Sequence, residues 1–344
     1  MTEAITRETD DEAEEPSVSR PWLLRSSGYL LRKPESTIAI AGIALAVYFA
    51  LVNDAFLSAS NIRVIAQFVI PVAILAAGQT MLLVCAEIDL SMGAVYFMTP
   101  FLAHFAIEAG LPVPLAILVA ALGAGVVGWI NGAITIGFGI PSFIVTLAML
   151  LVVSGVTLNM SGGFPKQAPR EGLAVEIFGG TPYSGLVWAV LIVVVLHMAL
   201  TRTRWGVYTI AIGGNPTGAR EVGIPVNRVR MRNFVVAAML AGFAGVLEGI
   251  RIGSFDPGAA VAGQRVFDAV AAAVIGGTVL TGGAGTVVGA FIGALVLAIL
   301  RDGFVIEGVS AFTFNIVLGA AIIVAMVLNV VTTKARVRAQ SALR

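Results

Sequence analysis

Ten apolar stretches of about twenty residues occupy most of the chain between residues 37 and 332, and they constrain its fold more than any other feature. An α-helix needs about 20 mainly apolar residues to cross the hydrocarbon core of a bilayer. The sequence is 58% hydrophobic and 12% charged, whereas soluble domains are about 25% charged. It therefore predicts an all-α polytopic membrane protein. The predicted spans are residues 37–56, 63–85, 88–108, 113–137, 141–160, 183–200, 232–252, 264–280, 284–302 and 311–332.

The basic residues are concentrated on one side of this arrangement. With the N-terminus in the cytoplasm, ten spans place fifteen of the 21 Lys and Arg residues inside, as the positive-inside rule requires. Both termini are then cytoplasmic. The middle segment Thr201–Arg232 holds a single acid, Glu221. Its six basic residues are Arg202, Arg204, Arg220, Arg228, Arg230 and Arg232.

The ends of the chain are polar. Residues 1–35 are predicted to be a largely disordered cytoplasmic tail that begins with the acidic run Met1–Glu15. Residues 333–344 are predicted to be a second cytoplasmic tail, and residues 36–332 to form one membrane domain. The longest outer loop is Ser161–Ser184, which is either a landing surface for an extracytoplasmic partner or a poorly ordered connection.

A two-turn helix is predicted within the arginine-rich segment. Asn215 followed by Pro216 is a typical helix start, because Asn accepts a hydrogen bond at the N-cap and Pro fits the first turn. Gly223 followed by Pro225 is a typical helix stop. This helix would lie at the membrane surface between two spans. It is either a rigid knob that docks a cytoplasmic motor or an amphipathic turn that rests on lipid headgroups.

Polar side chains near or within the apolar stretches are candidate solute contacts, because polar groups in a membrane are costly and often functional. Asp89 lies beside Glu87 between apolar runs, and it is either a functional carboxylate or a cap on the next helix. Asn131, Phe143 and Thr146 combine a flat apolar ring with neutral hydrogen-bonding groups. That chemistry suits a sugar, but ordinary helix packing explains each residue singly.

Several classes of function lack support in the residues. No GxxxxGK[ST] phosphate loop is present, so the chain is not expected to bind ATP by itself. No His and Cys spacing indicates a metal site, and no catalytic constellation indicates an enzyme. An ion-coupled secondary transporter of a small polar solute stays open as an alternative, and it needs ionisable groups in the bundle. The candidates for that role are Glu87, Asp89, His104, Glu248 and Asp268.

Four short motifs between residues 78 and 286 carry a family resemblance. They are GQT at 78–80 with IDLSMG at 88–93; NG at 131–132 with PSFIVTL at 141–147; NP, AR, GI and VN within 215–227; and FDAVA, GGT and GGAGT within 267–286. In this order they resemble the membrane permeases of monosaccharide-type ABC importers, the ribose, xylose and galactose class, over roughly residues 37–332. The chain departs from that family at Ala86-Glu87, where the family has Gly-Gly. This departure adds a carboxylate and removes backbone freedom at a turn.

The resemblance implies a type II permease fold, like that of vitamin B12 importers, with about ten transmembrane helices in the bacterial inner membrane. It implies import of a monosaccharide or related polyol, with no catalytic residue, metal or cofactor in this chain. The implied partners are a second permease subunit, identical or different, a cytoplasmic ATPase that binds ATP and Mg²⁺, a periplasmic sugar-binding protein and the lipid bilayer, but no nucleic acid. Segment 201–231 would be the ATPase-coupling loop, with Asn215, Pro216, Ala219, Arg220, Glu221, Gly223 and Ile224 as coupling residues. The candidate pathway residues are Gln79, Asp89, Asn131, Phe143, Thr146, Phe314 and Asn315.

Overall fold

The computed structural model describes residues 34–327, apart from residues 182, 259–260, 311–312, 321–322 and 325–326. The two predicted tails, except for residues 34 and 35, lie outside the described residues. So does the end of the last predicted span.

Helices make up most of the described chain. In chain order they are α1 (Pro34–Val52), α2 (Ala59–Val84), α3 (Met92–Glu108), α4 (Val113–Phe138), α5 (Ser142–Ser161), α6 (Leu173–Val175), α7 (Ser184–Arg202), α8 (Arg204–Gly214), α9 (Pro216–Glu221), α10 (Val226–Ile252), α11 (Ala262–Ile275) and α12 (Val287–Ile306). A further helical segment follows at residues 313–320. Two short strands, β1 (Lys166–Gln167) and β2 (Ser254–Phe255), form an antiparallel pair.

Seven helices in the described residues are long and apolar enough to cross a bilayer: α1, α2, α4, α5, α7, α10 and α12. The other predicted spans are shorter in the described chain, since α3 has 17 residues and α11 has 14. The predicted start of a helix at residue 88 is wrong, because the chain turns between α2 and α3 and the helix begins at Met92. The predicted span 264–280 ends too late, because α11 stops at Ile275 and Gly277 adopts a φ of +90°, outside the helical region.

α2 lies at the centre of the bundle. Residues 69–84 are all buried, and α2 packs against α7, α10, α11 and α12. A helix that is apolar on every side is suited to such a position. α1 lies at the edge instead, and Leu51 on it is 81% exposed. The structure therefore separates a packed central layer from helices that present apolar surface to lipid or to a partner.

The outer loop predicted at Ser161–Ser184 is folded where it is described. It contains β1, α6 and one π-helical turn, Glu176–Gly180. The Trp188 indole donates a hydrogen bond to the Ile177 carbonyl at 2.9 Å. Because β1 pairs with β2, which directly follows α10, this loop is attached to the C-terminal end of α10.

Candidate functional site

The arginine-rich segment folds into helices. α8 and α9 meet at Asn215, and α10 begins at Val226. The sequence indicates a helix start at Asn227, and α10 begins at Val226; the predicted span 232–252 therefore begins too late, since Arg228, Arg230 and Arg232 lie in the first two turns of this helix. The segment is an elbow of two short helices that leads directly into one long helix.

α9 begins and ends where the sequence predicts. The Asn215 side chain accepts a hydrogen bond from the amide three residues on, at 2.9 Å, and Pro216 occupies the first helical position. Gly223 adopts a φ of +82°, and the Ile224 amide donates to the Ala219 carbonyl at 2.9 Å. An isolated helix of this length is unstable in water, so α9 depends on these end bonds and on its neighbours.

One face of α9 is anchored and the other is accessible. Ala219 is buried in an apolar cluster with Cys85, Ile212 and Val229. The cluster fixes α9 against the end of α2 and the start of α10. Of the predicted coupling residues, Asn215, Pro216, Arg220, Glu221 and Gly223 are exposed, Ile224 is half-buried and Ala219 is buried.

The end of α8 contacts the end of α2 and the α11–α12 connection through backbone atoms. We call this set of contacts the glycine joint. The Gly283 amide, between α11 and α12, donates to the carbonyl of Val84 at the end of α2 at 2.8 Å. A Cβ on Gly213 of α8 would overlap that same carbonyl and would lie 2.5 Å from the Gly283 nitrogen. A side chain therefore has no room here, and α8 contacts both connections through its main chain.

Ala86 carries backbone strain beside this joint. Its φ of +60° is the only positive value at a residue other than glycine in the described chain, and such a conformation costs roughly 1–2 kcal/mol. A Cβ on Gly282 would come within 2.8 Å of the Ala86 methyl group. The turn thus keeps a shape suited to glycine although the sequence has alanine there.

Asp89 is fully buried in the same turn and is hydrogen-bonded on both oxygens. One oxygen accepts from the Ser91 amide at 2.8 Å and from the Ser91 hydroxyl at 2.6 Å, and the other accepts from the Asn131 amide group at 3.2 Å. Burial raises the pKa of the Asp89 carboxyl, and the hydrogen bonds from Ser91 and Asn131 oppose that rise. Asp89 therefore holds the start of α3 and ties it to α4, which favours the capping interpretation.

A cavity of about 520 Å³ opens between the α2–α3 turn, the end of α4, the start of α5 and α10. The Arg230 Nε lies 3.2 Å from a carboxylate oxygen of Glu87, which is 7% exposed. Ser142 and Thr135 also line the cavity, and the buried Thr135 hydroxyl has no hydrogen-bond partner among the described residues. The Phe143 ring, 52% exposed, forms part of the wall. Charged groups, hydroxyls and an aromatic face thus meet in one place.

The candidate pathway residues do not form a single site within the described chain. Phe143 alone among them lines the cavity. Gln79, Asp89, Asn131 and Thr146 are fully buried in the bundle, Phe314 is buried near Arg301, and Asn315 is exposed. The sequence does not indicate that Arg230 lies beside Glu87. The only available signal was Glu87 itself, because a buried carboxylate requires a counter-charge.

Three of the acidic groups considered for ion coupling, Glu87, Glu248 and Asp268, lie beside arginines, whereas Asp89 is hydrogen-bonded to neutral groups. Glu248 accepts two hydrogen bonds from Arg251 at 2.7 Å, and Asp268 lies 3.9 Å from Arg301. The His104 ring lies 3.2 Å from a glutamate one turn further on. Across the described residues, no group of three or more His, Cys, Asp and Glu side chains could hold a metal ion.

The elbow, the glycine joint and the cavity all lie within the part of the chain that matches a known protein family. A family described as branched-chain amino acid transport system / permease component matches residues 61–326. The xylose/arabinose import permease protein of Sulfolobus acidocaldarius is 35% identical over 325 residues, covering 91% of this chain and 89% of that protein. The ribose import permease protein of Escherichia coli K12 is 34% identical over 301 residues, covering 83% of this chain and 92% of that protein. No solved structure matches the chain.

Proposed function

Since this chain belongs to the family of transport-system permease components that matches residues 61–326, we propose that it is the membrane subunit of an ATP-binding-cassette importer. Members of such a family are transport permeases and not enzymes. The proposed substrate is a monosaccharide or a related polyol, because two relatives that cover 83% or more of the chain are named for xylose, arabinose and ribose import. The observation that carries the proposal is α9, a capped helix held rigidly on the bundle with one accessible face.

We place the chain in the bacterial inner membrane with ten crossings and a type II permease fold. In this arrangement the seven long helices cross the membrane, α3 and α11 are two shorter crossings, and the tenth is the predicted span 311–332, of which residues 313–320 are described as helix. Both termini are then cytoplasmic, and the elbow with its six basic residues lies inside, as charge sidedness favours. The β1–β2 pair lies on the outer face, where the periplasmic sugar-binding protein would dock.

Motion of a partner ATPase enters through α9 in this proposal. The ATPase binds ATP and Mg²⁺ and grips the exposed Arg220 and Glu221. Displacement of α9 passes through Asn215 into α8, and the glycine joint passes it to the end of α2 and to the α11–α12 connection. Backbone contacts transmit such a displacement well because packed elements move as rigid bodies. Alternating access would follow from movement of these helices against those of a second permease subunit, identical or different.

The cavity beside Glu87 and Arg230 is the proposed inner part of the solute pathway. Its volume of about 520 Å³ lies within the roughly 300–1,000 Å³ of small-molecule sites. Sugar hydroxyls can donate to the carboxylate and accept from the guanidinium, while Phe143 can cover an apolar sugar face. Gln79 does not line this cavity; its buried amide, with no partner among the described residues, would meet the solute elsewhere along the path. Asp89, Asn131 and Thr146 would shape this end of the path, and Phe314 and Asn315 would line it near the second subunit.

Uptake by reconstituted vesicles tests this function directly. The chain, its ATPase and its binding protein are reconstituted together, and entry of labelled xylose, ribose and galactose is measured. We expect uptake of at least one sugar that requires ATP and the ATPase and that survives a protonophore and a sodium ionophore. Uptake that persists without the ATPase and stops with an ionophore would establish the ion-coupled alternative instead.

The role of α9 is tested by a bulky residue at Gly223. A Cβ there meets no atom within 4 Å, so Gly223→Val clashes with nothing but strains a φ of +82°. Gly110, in the turn between α3 and α4, is a matched control with a φ of +91° and the same free space. We expect Gly223→Val to reduce sugar uptake about tenfold or more while ATP hydrolysis continues. Gly110→Val should leave both rates close to wild type, and equal loss in the two variants would refute the docking role.

A further inference from the structure

A second cavity, of about 480 Å³, lies on the surface between α4 and the start of α10, away from the Glu87–Arg230 cavity. We call it the basic groove. Both of its arginines, Arg228 and Arg232, are exposed, and no acidic residue lines it. The lining residues are Ile136, Asn227, Arg228, Met231, Arg232, Val235 and Val236.

The groove changes from polar to apolar along α10. Asn227 and Arg228 stand at the first turn, and Val235 and Val236 stand two turns later. With a rise of 1.5 Å per residue, Val235 lies about 10 Å beyond Arg228 and about 5 Å beyond Arg232 along the helix. α4 runs antiparallel to α10, since Gly125 approaches Val235 and Gly132 approaches Met231, so Ile136 borders the charged end of the groove. A charged entrance above an apolar floor matches the polarity of a phospholipid.

One arginine of the groove is held in place by an aromatic side chain. The Arg232 guanidinium lies 4.0 Å from the centre of the Trp205 ring on α8, and the Trp205 indole donates to the Asn233 side chain at 2.7 Å. A Trp at the end of a span is typical of the headgroup region of a bilayer. The stacked arginine therefore keeps its orientation and loses little conformational freedom when it binds an anion.

We propose that the basic groove binds an anionic phospholipid of the inner leaflet, with its phosphodiester at Arg228 and Arg232 and one acyl chain along Met231, Val235 and Val236. Basic pockets between membrane helices on the cytoplasmic side recognise such headgroups. The inference rests on the proposed orientation, which puts the start of α10 at the inner surface. It goes beyond the transport function, because it assigns a lipid to a surface that the pathway and α9 do not use.

The test measures thermal unfolding of the full-length purified protein in mixed micelles. Phosphatidylglycerol is titrated into the micelles, and the rise in melting temperature gives the half-saturating lipid fraction. Phosphatidylcholine supplies acyl chains without net charge, and glycerol phosphate supplies the headgroup phosphate without chains. The groove variant is Arg228→Gln with Arg232→Gln. The control is Arg202→Gln with Arg204→Gln, which removes the same charge from exposed positions outside the groove.

We expect phosphatidylglycerol alone to raise the melting temperature of the wild-type protein and of the control. Each basic residue contributes about fivefold in affinity at such a surface, so the groove variant should need about thirtyfold more lipid for half saturation. A second variant, Ile136→Trp, keeps both arginines and fills the groove beside them, and it should also lose the rise. That variant keeps the test decisive if loss of both arginines impairs folding.

Three results would overturn the proposal. Equal loss in the control variant would show general surface attraction, and equal protection by glycerol phosphate would show a site for free phosphate. An unchanged lipid response in the groove variant, together with weaker binding of the ATPase, would assign the arginines to a protein contact. Any of these results alongside ATP-driven uptake by the wild-type protein would remove the lipid site and leave the transport function standing.

Discussion

Substitution of Gly213 by alanine is the most direct probe of the glycine joint. The new Cβ would overlap the Val84 carbonyl and lie 2.5 Å from the Gly283 nitrogen. Ordinary van der Waals contact begins near 3.4 Å, so the Gly283 contact alone requires a separation of roughly 0.9 Å, and the closer Val84 carbonyl requires more. That movement also strains the hydrogen bond of 2.8 Å between Gly283 and Val84. Overpacking costs about 1–3 kcal/mol and a lost buried hydrogen bond about 1–3 kcal/mol, so we expect about 2–6 kcal/mol of destabilisation.

Gly214→Ala is the matched control for this experiment. The two glycines are neighbours at the end of α8, but a Cβ on Gly214 meets no atom within 4 Å. Alanine in a helix is favoured over glycine by up to about 1 kcal/mol, so Gly214→Ala should be neutral or slightly stabilising. The pair therefore differs in the direction of one methyl group and in little else.

Thermal unfolding in detergent, followed by sugar uptake in vesicles, measures the consequence. We expect Gly213→Ala to melt about 4 °C or more below Gly214→Ala and to hydrolyse ATP with reduced uptake. Gly213→Ser should show the same defect as Gly213→Ala if space alone matters. If the two alanine variants melt within about 1 °C of each other, α8 does not contact Val84 as described, and this route from α9 to the bundle is refuted.

Three further predictions test the turn between α2 and α3 and the position of the elbow. Ala86→Gly should raise the melting temperature, because it removes roughly 1–2 kcal/mol of strain at the cost of about 0.5–1 kcal/mol of backbone entropy; a fall would contradict the strained conformation. A double-mutant cycle with Glu87→Gln and Arg230→Gln should give a coupling of about 1 kcal/mol or more, and independent effects would show that the pair is not formed. Cys85 is fully buried, so its thiol is shielded from reagents in the folded protein. Maleimide should therefore label Thr217→Cys in inside-out vesicles and leave Cys85 unmodified, and labelling of Thr217→Cys from outside intact cells would refute the proposed orientation.

Local signals in the sequence predicted local structure well. Asn215-Pro216 and Gly223 specify both ends of α9 because each acts on backbone groups within a few residues. The bounds of α11 were missed, because an apolar run does not reveal that Gly277 turns the chain. Asn227 indicates the start of α10, but the apolar span was predicted only from residue 232, because three arginines interrupt the apolar pattern in its first two turns.

Contacts between distant residues could not be predicted from one sequence. Glu87 and Arg230 are 143 positions apart, and their pairing depends on how α10 packs against α2. The glycine joint is equally hidden, because a glycine gives no sign of which backbone it approaches. For the cavity at Phe143, only the kinds of chemical group could be predicted. Its shape could not, because its walls come from four separate parts of the chain.

α10 connects the two faces of the molecule as a single helix of 27 residues, about 40 Å long. One of its ends follows α9 after a short turn, and the other leads directly into the strand that holds the loop between α5 and α7. A binding protein on that loop and an ATPase at α9 would therefore act on opposite ends of the same helix. Docking of a loaded binding protein on the outside would then be transmitted to the ATPase through the rigidity of α10 alone.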